Sequence, residues 1–474
     1  MSDDPGFHMP LAEFRRHGHD LVDWIADYLE TVEQRPVLAT TTAGQVRAGL
    51  PAHPNEQPES FDTVLADLDR VIMPGITHWQ HPGWFAYFPA NTSPPSILGE
   101  LVSAGLGVQG MLWSTSPAAT EVESLMLDWL VELLGLPESW RVDTGPGGGV
   151  LQMSASDSTH TALVVARERA RSAGHAATEA VVYASSQAHS SIEKGARVAG
   201  LEHLRLLPVD DELALDVGGL RDAVAHDVAA GLTPCAVVSA VGTTGTTAVD
   251  PVRAIGQVAR EFGMWHHVDA AYAGSAMVCP ELRHLQDGLE TADSYTFNPH
   301  KWMFTNFDCS AFWVADRQEL VRALSVLPAY LRDRASESGE VVDYRDWHVP
   351  LGRRFRALKL MFVLRSYGAA GLRHHIREHL RLARELADRL DADPRFALVA
   401  PVPFALVSFR LVAGDDATKA LARQVNDSGR YALTASELPD GTAFIRVSVG
   451  QTSTQQRHVE GLWALLDELA PGSL

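Results

Sequence analysis

Ser294-Tyr-Thr-Phe-Asn-Pro-His-Lys-Trp302 sets one lysine, Lys301, between a histidine and a tryptophan at the end of a strand-like run. Lysine is scarce in this chain: only Lys194, Lys301, Lys359 and Lys419 stand among 39 lysines and arginines, so arginine carries the ordinary surface charge. Lysine offers what arginine cannot, an amine that loses its proton when desolvated and then attacks a carbonyl to form an imine. The bland reading is a lysine snorkelling from a strand end. The flanking sequence has to decide between the two.

Between residues 180 and 300 the chain repeats a short β-rich run, a polar loop and a helical stretch. Residues 180–184 precede Gln187-Ala-His-Ser-Ser191, where Ser190 and Glu193 have capping-box spacing. Residues 236–241 precede Gly242-Thr-Thr244, residues 265–268 precede Asp269-Ala-Ala-Tyr-Ala-Gly274, and residues 294–297 precede Asn298-Pro-His-Lys301. Such alternation predicts βαβ units in a mostly parallel sheet, with ligands bound at the carboxyl ends of its strands. His189, Thr244, Asp269 and Lys301 all fall at such ends, a coincidence stronger than any one of them.

Upstream, Gly145-Pro-Gly-Gly-Gly149 fails the GxGxxG spacing because Val150 stands where the third glycine belongs, which disfavours a dinucleotide-binding oxidoreductase. Ser154-Ala-Ser-Asp-Ser-Thr159 then leads into a helix expected over 160–171. Small hydroxyl residues at a helix N-terminus can hold a phosphate without any lysine; plain N-capping is the alternative. Residues 9–33 and 61–71 show helical spacing between Pro-rich connections, an arm with little core of its own. Helical periodicity returns over 97–106 and 120–134, and residues 79–88 are dense in aromatics. Residues 325–340 lose periodicity and read as a lid or a disordered loop. Helices over 353–367 and 372–390 follow, and then a small α+β unit: strands at 396–399, 406–411 and 443–449, a helix at 419–426 and a final helix.

Composition narrows the classes. At 474 residues the chain is long enough for more than one domain, and we expect an arm over 1–80, a large α/β domain over 81–365 and a small α+β domain over 366–474. A formal net charge of −20 opposes binding to nucleic acid or anionic lipid, and no apolar run approaches a membrane span. The acidic start lacks a secretory pattern, so a cytoplasmic address is expected. Cys235, Cys279 and Cys309 are widely separated without ligand spacing, which argues against disulfides or a metal site.

A pyridoxal 5'-phosphate enzyme needs an imine-forming lysine, an acid against the pyridine nitrogen, something flat against the ring and an anion cradle. Lys301 serves as the first. Asp269, followed by small residues, can keep the ring nitrogen protonated. His189 can stack on one face above Ala271 on the other, and Ser156 with the backbone around Ala155 can take the phosphate.

Gln187-Ala-His-Ser-Ser191, His267-Val-Asp-Ala-Ala-Tyr-Ala-Gly-Ser275, Phe297-Asn-Pro-His-Lys-Trp302, Asn306-Phe-Asp-Cys-Ser310 and Pro350-Leu-Gly-Arg-Arg-Phe-Arg356 resemble the group II pyridoxal-phosphate-dependent amino-acid decarboxylases, and among them the aromatic-L-amino-acid decarboxylases. The resemblance covers almost the whole chain. It implies a type I aminotransferase-like fold and a homodimer with the active site at the subunit interface, the N-terminal helices wrapping the partner. By residue it implies the cofactor imine on Lys301, the pyridinium partner at Asp269 and ring stacking by His189. Ala155, Ser156, Asn298 and His300 then surround phosphate and lysine, Thr244 meets the cofactor, and Tyr330 returns a proton to Cα after CO2 leaves perpendicular to the ring. The aromatic density over 79–88 reads either as core packing or as a pocket wall for a flat substrate, with Trp79, Tyr87 and Phe88 as that wall. Two positions depart from animal members, Ala90 for a threonine and Gln109 for an isoleucine, while Gly352 leaves room for an indole or catechol. The implied reaction is decarboxylation of an aromatic L-amino acid. An aldehyde synthase on the same scaffold, a decarboxylase of a small acidic amino acid and a catalytically silent binding protein are the competing expectations.

Overall fold

The computed structural model describes residues 8–326 and 341–471. Its centre is a seven-stranded sheet made of β1 (Gly148–Gln152), β2 (Ala180–Ser185), β3 (His203–Leu207), β4 (Thr233–Ala240), β5 (Trp265–Asp269), β6 (Ser294–Phe297) and β7 (Ser310–Val314). Their order across the sheet is β1-β7-β6-β5-β4-β2-β3. β3, β2, β4, β5 and β6 pair in parallel, and β7 runs antiparallel to both β6 and β1. β2 and β6 are buried at every position, as a sheet covered on both faces requires. The four β-rich runs read from the sequence are therefore four adjacent strands, β2, β4, β5 and β6, with their carboxyl ends on one edge.

Three strands of this sheet were not anticipated. β3 is an edge strand whose residues are only half covered, so it lacks a clean apolar run. β7 follows the quoted Asn306–Ser310 motif, and β1 begins inside the glycine run. There the glycines make room for aromatic packing: a Cβ on Gly148 would lie 2.6 Å from the Trp347 ring, and one on Gly149 2.6 Å from Trp313.

A second sheet, order β10-β11-β9-β8, is antiparallel throughout: β8 (Phe396–Leu398), β9 (Leu406–Leu411), β10 (Thr434–Glu437) and β11 (Ala443–Ser448). β10, a half-exposed edge, also escaped the sequence reading. The two helices expected over 353–367 and 372–390 lie within Arg356–Ala392, with a break between them at Gly368, which leaves helical geometry at φ 60°, ψ 174°. The expected boundary at 365/366 lies within it. Residues 83–85 also join the small sheet: Phe85 donates its N–H to Ala432 O (3.0 Å) and accepts from Ser448 N (2.9 Å).

The N-terminal helix, Leu11–Thr31, buries only His17 against its own chain, while Leu11, Phe14 and Val22 stay exposed. The next long helix, Pro94–Leu106, lies close on the Arg356–Ala392 helix, where a Cβ on Gly99 would come within 2.6 Å of Lys359 Cα. Lys359 is fully buried and pairs with Glu100 at 2.9 Å. The three cysteines are buried and free. Among the described residues no helix is long and apolar enough to cross a membrane, and no cluster of side chains could hold a metal ion.

Candidate active site

One cavity opens at the carboxyl edge of the large sheet. Phe88, Ala155, Ser156, His189, Thr244 and Asp269 line it, and so do Ala271, Asn298, His300 and Lys301. Residues from 88 to 301 meet there because the parallel strands deliver every loop to the same edge.

Lys301 sits in a single helical turn, Pro299–Trp302, directly after β6, with a proline in its first position. Burial lowers the basicity of its amine; Asp269 opposes that and Arg446 adds to it. The nitrogen lies 5.3 Å from the centre of the Phe88 ring. Phe88 begins a column of near-parallel rings: Phe88 on Tyr272 (3.9 Å, 9°), Tyr272 on Trp302 (4.6 Å, 10°) and Trp302 on His379 (6.3 Å, 16°). The Trp302 indole N–H donates to His379 Nδ1 at 2.9 Å, which anchors the residue beside Lys301 to the long helix.

Asp269 ends β5. Its Oδ1 accepts the N–H of Ala271 at 2.9 Å, a contact that orients the carboxylate at the cavity wall. His189 stands at the end of the loop after β2. The expected capping box is absent: Ser190 has helical φ −60°, ψ −11°, not the extended geometry of an N-cap, and its side chain makes no cap; the Ser191 N–H donates to His189 Nδ1 at 3.1 Å. That bond leaves the proton of the neutral ring on Nε2. Desolvation lowers the basicity of His189 and Asp269 raises it, although the outer edge of the residue is exposed.

The anion cradle is the start of the Ala155–Ser172 helix, which begins five residues earlier than expected. The side chain of Ser154 caps it by accepting from Asp157 N at 3.3 Å. The N–H groups of Ala155 and Ser156 have no intrahelical acceptor and carry the positive end of the helix dipole. His300 faces the same space. Its Nδ1 accepts the Cys309 N–H at 3.0 Å and burial lowers its pKa to about 3, so it is a neutral ring with a donor at Nε2. Asn298 Oδ1 is buried with no protein partner. The loop carrying Thr243 and Thr244 is held by Asp250, whose oxygens accept the N–H groups of Leu215 and Ala240 at 2.7 Å.

Pyridoxal 5'-phosphate fits this set. A desolvated amine, a carboxylate on the neighbouring strand, an imidazole, small Ala271 and a helix N-terminus for the phosphate all border one space.

The expected aromatic wall is only partly present. Phe88 lines the cavity, but Trp79 and Tyr87 stack on each other (5.8 Å, 14°) and on Trp84 outside it. Neighbouring residues 87 and 88 leave the turning backbone on different sides. Ala90 is also outside the lining and gives its carbonyl to Gln80 Nε2 at 2.7 Å. Gln109 and Gly352 meet each other instead: Gln109 Oε1 accepts Arg353 N–H at 2.5 Å, and a Cβ on Gly352 would be 3.4 Å from Gln109 Nε2. Tyr330 lies outside the described residues. Tyr272, Gly242 and Thr243 line the cavity unanticipated. Arg446 also escaped notice, beside Phe88 at 5.2 Å. One signal was available for it, a lone charge inside the apolar run of β11.

Comparison with known proteins agrees with this geometry. The pyridoxal-dependent decarboxylase conserved domain matches residues 43–412. Phenylacetaldehyde synthase of Arabidopsis thaliana is 46% identical over 98% of this chain and 96% of its own. Aromatic-L-amino-acid decarboxylase of Cavia porcellus is 42% identical over 98% of this chain and 99% of its own. The crystal structure of Oryza sativa TDC with PLP and tryptamine superposes with a TM-score of 0.96 at 38% identity, covering 99% of both chains. With the lysine, the carboxylate and the phosphate cradle in one cavity and likeness over nearly the full length, the chain belongs to the pyridoxal-dependent decarboxylases.

Proposed function

We propose that this enzyme, a carboxy-lyase using pyridoxal 5'-phosphate, removes CO2 from an aromatic L-amino acid to leave the arylalkylamine. The observation that carries the reading is the single cavity joining Lys301, Asp269, His189 and the Ala155–Ser156 cradle. The relatives named for aromatic substrates support the substrate class.

When bound, pyridoxal phosphate supplies an electron sink for the breaking bond at Cα. The chain's own groups do the rest. Lys301 would hold the cofactor through an amine whose basicity burial lowers. Asp269 holds a proton at the pyridine nitrogen. Ala155, Ser156 and His300 bind the phosphate, and Asn298 and Thr244 complete the surroundings. His189 and Ala271 would flank the cofactor ring from the two sides of the cavity. Tyr330 donates the proton that replaces the carboxylate at Cα.

The Arabidopsis relative is named as an aldehyde synthase, so oxidative deamination is the second reading. The tyrosine at 330 favours simple decarboxylation, since in the resembling family the synthases carry phenylalanine at that lid position. We infer a homodimer as the working form. Leu98, Leu101, Val102 and Leu106 form one exposed apolar stripe on the Pro94–Leu106 helix, and the N-terminal helix leaves its own apolar residues uncovered. Trp79, Tyr87, Ala90, Gln109 and Gly352 are proposed to meet substrate in that assembled form. A cytoplasmic location accords with three unpaired thiols.

The test is a product assay with purified protein, pyridoxal phosphate and, separately, L-tryptophan, L-DOPA, L-tyrosine, L-phenylalanine and L-glutamate. Amine matched by CO2 from an aromatic substrate is expected. Aldehyde with peroxide would select the second reading, and activity on glutamate alone would overturn both.

A further inference from the structure

Arg446 projects from β11 of the small sheet and is 4% exposed. Its Nε donates to Gly245 O at 3.2 Å, while Nη2 is buried with no partner. Among the described residues no carboxylate faces it; the titratable groups that act on it are Tyr272 and Tyr87. Burial of a guanidinium without a counter-ion is costly, and here it lowers the pKa to about 10. The compensation visible is a cation–π contact, with Cζ 5.2 Å from the Phe88 ring centre.

Lys301 Nζ lies 5.3 Å from the same ring centre. Tyr272 stacks on Phe88 at 3.9 Å. A ring shared by an arginine and a lysine, with no acid between them, places an unneutralised positive charge beside the amine. The groups facing Lys301 are Asp269 from β5, His189 from the loop after β2, His300 from its own turn and Arg446 from β11. Both histidines are neutral by their hydrogen bonds, which leaves one carboxylate and one guanidinium to set the field. On the reading above Asp269 is committed to the pyridine nitrogen.

We propose that Arg446 is a positioning residue that acts on Lys301 through space, its unpaired charge across the Phe88 ring holding the lysine amine unprotonated and ready to form its imine. This rests on Lys301 being the cofactor lysine. The small domain thereby contributes to the chemistry of the large one without touching substrate. The lowered basicity of Lys301 attributed in part to Arg446 points the same way.

The experiment follows capture of added pyridoxal phosphate by the cofactor-depleted full chain, read as imine absorbance against time across a pH series. The wild-type rate should rise with a midpoint well below the ordinary lysine value of about 10.4. Arg446→Met and Arg446→Gln should move that midpoint up by about one pH unit, the shift expected of a unit charge over roughly 10 Å at an effective dielectric near 20. Arg446→Lys should restore it. A Lys301→Ala chain that gives no imine band confirms which lysine is read, and an undiminished band there would refute the cofactor assignment rather than the role of Arg446. An unmoved midpoint in a folded neutral variant overturns the proposal. So does an unmoved midpoint with a raised KM, which would make Arg446 a substrate-carboxylate anchor. If neither neutral variant folds, a wild-type midpoint at the ordinary lysine value overturns it alone.

Discussion

Asp269→Asn separates the electrostatic role of this carboxylate from its shape. In the native site Oδ1 is engaged by the Ala271 N–H at 2.9 Å, so the second oxygen is the one available to the cofactor nitrogen. Asparagine can keep the first contact only by placing its oxygen at Oδ1, and it then presents an NH2 donor where an acceptor is needed. The variant loses a charge-assisted hydrogen bond, worth about 1.5–3 kcal/mol. It also loses the attraction between carboxylate and ring cation, on the order of 5 kcal/mol at 3 Å and an effective dielectric of 20. Asp269 is only partly buried, so solvent screens part of that. A net loss of about 3–4 kcal/mol, or roughly 10²–10³ in kcat, is expected. The assay is CO2 release at saturating cofactor and substrate, with cofactor retention measured in parallel. Asparagine should do no better than alanine despite its matching shape. A loss below about tenfold with cofactor retained, or clear rescue by asparagine relative to alanine, would refute the assignment.

Tyr330→Phe should shift product from amine toward aldehyde with peroxide, read by quantifying both carbonyl and amine; unchanged amine output removes Tyr330 from the chemistry. Acidification should destabilise the fold between pH 6.5 and about 4. Burial lowers His266, His300 and His348 to about 3 and His267 and His379 to about 4, so the unfolded chain takes up protons before the native one does. Each contributes a slope of about 1.4 kcal/mol per pH unit across that window. Asp250, raised to about 6, and Asp128 and Asp293, also raised by burial, act in the opposite sense, but as three groups against five. Denaturant midpoints at about pH 7, 6 and 5 check this, and a flat or rising stability on acidification would contradict it.

Much of the site was legible before any fold was known, because its chemistry is carried by residue types in unbroken local runs. Lys301, Asp269, His189 and Thr244 each follow a strand that the alternation of apolar runs and helices marks, and a parallel sheet necessarily brings such ends together. The helix start at which Ser154, Ala155 and Ser156 stand is likewise a local signal. What failed was whatever depends on neighbours distant in sequence. The glycines at 148 and 149 offer no local signal of a strand, yet they open β1 and are small because Trp347 and Trp313 press on them. Ser190 and Glu193 have the spacing of a capping box, but Ser190 sits in helical geometry and its side chain makes no cap. Trp79 and Tyr87 share the aromatic density of Phe88, but within one chain only Phe88 lines the cavity.

The sequence by itself determined the α/β class, the cofactor and the broad reaction, and put Lys301, Asp269 and His189 forward as candidates, since each rests on local pattern or on motifs that keep their spacing. Only the tertiary structure decided how the β11 arginine reaches the cavity with no carboxylate beside it among the described residues, and how a column of rings ties Trp302 to His379. Those arrangements join segments tens to hundreds of residues apart, and the fields and packing they create belong to distances in space, which no periodicity along the chain records.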